Sequence, residues 1–184
     1  VDLFTDSNFL ASVGRSIAMS IIPIIVTIVI VLLALFVTAI YFPKLEKYVQ
    51  IIGMIPYTIQ GVILSVSILS LYVGSSSILS NRLVMLMGAY CIVILPYIYQ
   101  GIRNGMRAVN MPTLIEAAEM LGASKIYAFF RVVVPNILSA IIVSSLLAVG
   151  IIFGDYVLIR NLAGTSAPNM QIFLYQTMKS DSTK

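Results

Sequence analysis

Few side chains in this sequence could do chemistry, and their kinds restrict it. Seven acidic residues, no histidine and one cysteine occur among 184 residues. Without histidine the chain lacks the commonest general base and the commonest metal ligand. Cys91 sits alone inside an apolar run, so no disulfide can form within the chain. No Gly-x-x-x-x-Gly-Lys-Ser/Thr phosphate loop occurs, so this chain is not itself an ATPase. No metal site and no cofactor are expected in it. Asp155, at the end of an apolar run, could attract a cationic solute, or be an interfacial carboxylate that pairs with Arg160 or is simply solvated. Tyr97, with Tyr90 and Tyr99, could line a solute pathway, and so could Ser65. The tyrosines would serve equally as interfacial anchors, and Ser65 with Gly61 and Ser67 as a close-packing surface.

The segment with the most local pattern is residues 110–135. Thr113-Leu114-Ile115-Glu116 fits a capping box that would start a short helix. Leu114, Ala117, Ala118 and Leu121 then fall at helical spacing and form an apolar stripe. Gly122 is placed to end that helix in a left-handed turn. Ser124 can cap a second short helix through Lys125 to Phe130. The expectation is a compact helix–glycine–helix knuckle whose small side chains admit close approach by another protein. An amphipathic turn resting on a membrane surface would share this pattern.

The elements that must position these residues are membrane helices. Sixty per cent of the chain is hydrophobic and 10% charged, with a mean hydropathy of +1.04. A soluble domain carries about 25% charged residues to meet water. Residues 16–42, 51–73, 83–102 and 132–153 are each uncharged and about 20 residues or longer, enough to cross the hydrocarbon core as helices. The expected fold is therefore an all-α, polytopic transmembrane bundle, a single domain over 1–184, with a loop at 103–131. Lys44 and Lys47 fall in one inter-span loop, and Arg103, Arg107, Lys125 and Arg131 in another on the same side. By the positive-inside rule both are cytoplasmic. The net charge of +4 comes from residues at the edges of apolar runs, a distribution that fits a membrane and not nucleic acid. Pro23, Pro56 and Pro96 lie inside spans, as hinges or as ordinary membrane-helix prolines. Ser139, Ala140, Ser144, Ser145 and Ala148 read as packing residues. The chain begins at Val1 and ends in polar sequence, and is read as an interior fragment.

Within this frame, Glu116-Ala117-Ala118, Gly122 and Pro135 resemble the EAA loop of bacterial ABC importer permeases of the MetI-like type. Val132 and Val134 stand where that pattern has isoleucine and leucine. The resemblance extends over roughly residues 17–179. It implies a permease subunit in the bacterial cytoplasmic (inner) membrane that forms a solute pathway with a second permease chain, as a homo- or heterodimer. It also implies a cytoplasmic ATPase dimer that carries ATP and magnesium, and an extracytoplasmic solute-binding protein. Carried over by position, Glu116, Ala117, Ala118, Gly122 and Ala123 would dock the ATPase, whose cycle would drive alternating access. Phe153-Gly154-Asp155-Tyr156, Leu162-Ala163-Gly164 and the run 170–175 look similar to the polyamine, phosphonate and ferric-iron branch. The rival is a secondary transporter or channel without ATP coupling. Such proteins usually place ionisable groups within their spans, and the four spans here hold none between their ends.

Overall fold

The computed structural model describes residues 7–59, 61–72, 82–163, 175 and 178. Among these the regular structure is entirely helical, as the apolar composition requires of a backbone with no water to bond. The helices are α1 (Ser7–Ile40), α2 (Glu46–Met54), α3 (Val62–Tyr72), α4 (Arg82–Ala108), α5 (Met111–Met120), α6 (Lys125–Ala128), α7 (Val134–Asn136) and α8 (Leu138–Gly154). Leu10–Ile40 and Leu83–Ala108 are each long and apolar enough to cross a membrane unaided. Two further stretches qualify only as bent pairs. Pro43–Tyr57 meets Val62–Leu71 at 97°, and Lys125–Asn136 meets Leu138–Gly154 at 64°.

The bends have local causes. In the first pair Pro56 sits in a 3-10 turn, Ile55–Tyr57, and Gly61 adopts φ +59°. A proline and a left-handed glycine five residues apart end one helix and re-aim the next. The stretch 51–73 is thus not one continuous helix. In the second pair a π-helical stretch, Phe129–Val133, runs into α7, and the break falls at Ile137. Pro135 follows the π-helical stretch and has no N–H with which to continue its backbone ladder. Pro23 and Pro96, by contrast, lie inside unbroken helices. The carbonyl of Pro23 accepts from the Cys91 thiol at 3.7 Å.

The core forms where α1, α4 and α8 pack together. Leu86, Tyr90, Ile94, Ile98, Ile102 and Met106 make one covered ridge of α4 at every fourth residue. A second face of α4 carries Gly101 and Gly105 against α8. A Cβ on Gly105 would stand 2.6 Å from Ala140 Cβ, and one on Gly101 would lie 2.8 Å from Ser144 Cβ and collide with its hydroxyl. Ala140 and Ser144 are the packing residues their small side chains indicate, and Gly105 and Gly101 are their partners. Ile142, Val143, Leu146 and Leu147 of α8 are exposed, as are Ile21, Ile22 and Ile25 of α1. In a lipid solvent such faces carry no penalty.

Candidate functional site

α4 continues through Ala108, so Arg103 and Arg107 occupy its last two turns and not a free loop. Four residues apart, they share a face. Both guanidinium groups donate to Oε1 of Glu46 at the start of α2, Arg103 at 2.8 Å and Arg107 at 3.3 Å. Arg103 adds a second bond through Nε at 3.2 Å. Its side chain is nearly enclosed, whereas that of Arg107 is 61% exposed. Glu46 precedes the span expected at 51–73. The Arg103 guanidinium beside it holds its carboxyl below the ordinary value of 4.5, with Arg107 assisting and burial opposing. These bonds bring the Lys44–Lys47 turn and the 103–131 segment to one end of the bundle.

The knuckle lies at that same end, with one correction to its start. α5 begins at Met111, two residues before Thr113, with Asn110 at the N-cap in the left-handed region (φ 49°, ψ 61°). Pro112 fits the first turn without losing a hydrogen bond. Thr113 is therefore inside the helix, and no capping box forms. The C-terminal end follows the expected pattern. Gly122 has φ +86°, its N–H donates to Glu119 O at 2.9 Å, and Ala123 N–H donates to Ala118 O at 3.0 Å. This is a Schellman turn, which satisfies two carbonyls at the helix end. Ser124 then caps α6 by accepting from Tyr127 N–H at 3.3 Å.

The inward stripe of α5 is Met111, Ile115 and Ala118, not the one expected through Leu114, Ala117, Ala118 and Leu121. Ala118 is buried, while Glu116, Ala117 and Gly122 face outward and Ala123 is half-buried. Met120 and Leu121 are 88% and 89% exposed, and Ile126 and Tyr127 project nearby. The knuckle is anchored from below by Ala128 and Phe129, both fully buried. The Phe129 ring packs on Phe36 of α1 at 4.7 Å, and the neighbouring Phe130 stands 6.4 Å from the same ring. Glu119 pairs loosely with Lys125 at 3.9 Å.

The three candidate pathway residues have different immediate partners. Tyr97 stacks with Tyr57 at 5.3 Å beside a cleft of about 460 Å³ that Met54, Gln100 and Ser144 also line. Ser65 is buried in α3, donates to Val62 O and accepts from Asn161 at 2.8 Å. Asp155 Oδ1 accepts from the N–H groups of Val157 and Leu158 at 3.1 and 3.3 Å, and so caps the turn after α8. Asp155 Oδ2 is buried with no hydrogen-bond partner among the described residues. Arg160 bonds the Tyr156 hydroxyl and lies over the rings of Tyr156 and Tyr175. No ion pair joins it to Asp155 among the described residues. Residues 73–81 and the run 170–174 lie outside the described residues.

Residues 16–180 match the family model described as "Binding-protein-dependent transport system inner membrane component". The chain belongs to that family. It is accordingly an ABC-type permease component, a transport subunit of an inner-membrane system and not an enzyme. The family implies an import system with ATPase and binding-protein partners. A comparison with curated proteins returns no significant match.

Proposed function

We propose that this permease forms half of a solute pathway in the bacterial cytoplasmic membrane and docks a separate ATPase through its knuckle. The observation that carries the reading is the outward face of α5 and α6. Met120, Leu121, Ile126 and Tyr127 present apolar surface at the end of the bundle richest in positive charge. Exposed apolar side chains of this kind fit a partner's groove. In this reading Glu116 supplies a polar contact, Ala117 and Ala123 admit close approach, and Gly122 sets the turn. Ala118 belongs beneath the surface, where it seats α5. Phe129 against Phe36 would carry a displacement of the knuckle into α1. The cleft beside Tyr97 and Tyr57 is the proposed pathway wall, and a second permease chain would complete it. Likeness to the polyamine, phosphonate and ferric-iron branch is the sole indication of cargo.

The test is co-purification of the full chain with its ATPase, beside the Gly122→Val variant. A Cβ at Gly122 meets nothing within 4 Å, so only the backbone conformation opposes it. Left-handed φ at a β-branched residue costs about 1–3 kcal/mol, enough to distort the knuckle and not enough to unfold the bundle. The variant should insert normally and lose both the ATPase and ATP-dependent uptake in vesicles. Uptake that proceeds without any ATPase bound would instead indicate a channel or secondary transporter.

A further inference from the structure

A cavity of about 290 Å³ opens between α1, α2, α4 and α5, beside the knuckle but separate from its outward face. One wall is apolar, from Leu35, Met106 and Met111; the other carries Glu46, Arg103 and Arg107. We propose that this cavity binds a phosphate group, brought to it by the headgroup of an anionic phospholipid.

The charge balance points to an anion. Two guanidinium groups converge on a single carboxylate oxygen, so the cluster keeps one uncompensated positive charge. Arg103 is spent on Glu46 through two nitrogens, but Arg107 reaches it with one nitrogen and is 61% exposed. A guanidinium offers five N–H donors in a plane, a geometry that matches phosphate oxygens. Asn110, Met111 and Pro112 form the cavity's rim at the start of α5. Asn110 is turned left-handed and its side chain caps nothing, and the first turn of α5 holds no acidic residue. The positive end of α5 therefore adds to the arginines' field.

Position selects a lipid as the carrier. The apolar run of α1 closes at Ile40, followed by the exposed aromatics Tyr41 and Phe42 and by Lys44 and Lys47. Aromatic and then basic residues at a helix end mark the headgroup level. A phosphate at that depth meets Arg107 while its acyl chains keep to the apolar side. Basic pockets between helices at the cytoplasmic face bind anionic headgroups on the same physical grounds.

The inference needs only that the chain is embedded in a bilayer and is independent of the docking proposal. Its test uses the full chain reconstituted without ATPase in phosphatidylcholine vesicles doped with spin-labelled phosphatidylglycerol. Wild-type protein should immobilise phosphatidylglycerol in preference to labelled phosphatidylcholine. Arg107→Gln should lower that preference about tenfold, the loss of one hydrogen bond to a charged group. Arg131→Gln, exposed and away from the cavity, should leave it unchanged. Equal loss in both variants would mean diffuse surface attraction and overturn the site, as would full retention in Arg107→Gln. A second arm adds inorganic phosphate: displacement of the labelled lipid by millimolar phosphate would assign the cavity to a soluble phosphate and overturn the lipid assignment.

Discussion

Two glycines in this permease do opposite work. Gly122 has open space where a side chain would go and is needed for its backbone angle. Gly101 is held within a helix and is needed because Ser144 leaves no room for a side chain. The distinction makes a prediction. Gly101→Ala should lower the thermal stability of the purified chain by about 1–3 kcal/mol, the usual cost of overpacking. Pairing it with Ser144→Gly, which removes the obstructing atoms, should recover part of that loss in a double-mutant cycle. Strict additivity would show that Gly101 and Ser144 do not meet. Gly122 was legible in the sequence because a helix stop depends on neighbours a few residues away. Gly101 and Gly105 were not, because their role depends on Ser144 and Ala140, 43 and 35 positions along the chain.

Among the elements, α2 and α4 are joined at Glu46. The Glu46 carboxyl titrates below its ordinary value of 4.5 because its charged form is bonded by Arg103. A group depressed on folding stabilises the fold above its unfolded value, and the contribution fades as pH falls through the folded value. Wild-type protein should therefore melt above Glu46→Gln at neutral pH, and the gap should close as pH drops below about 4.5. A gap that persists into acid would mean that Glu46 acts through packing. The effect should be modest, since the carboxylate side chain is 40% exposed. This joint was invisible in sequence for the same reason as the glycine seam, as Glu46 and Arg103 lie 57 positions apart. Helix boundaries depart from the sequence pattern where two local signals compete. Thr113 with Glu116 offered a capping box, but Pro112 loses no hydrogen bond only in a first turn, and α5 starts at Met111. The break inside 51–73 was signalled by Pro56 and Gly61 together, although each alone is common in a membrane helix.

For the molecule as a whole, the bonds from Glu46 to α4 and the stack of Phe36 on Phe129 gather the basic turn and the knuckle at one end. α8 then carries the chain away through 17 residues, about 25 Å at helical rise, to Asp155. A thiol placed by Met120→Cys in a Cys91→Ala background should react with a membrane-impermeant maleimide in inverted vesicles and stay unlabelled in right-side-out ones. The reverse pattern would put the knuckle outside and remove the ATPase from consideration. The helices that make this traverse have a further property. Residues 16–42, 83–102 and 138–154 contain no Asp, Glu, Lys or Arg. A membrane potential of 100 mV does about 2.3 kcal/mol of work on each unit charge that crosses it. With no charge inside those stretches, their movement through that field does little electrical work. Any current recorded during transport would then report the valence of the cargo.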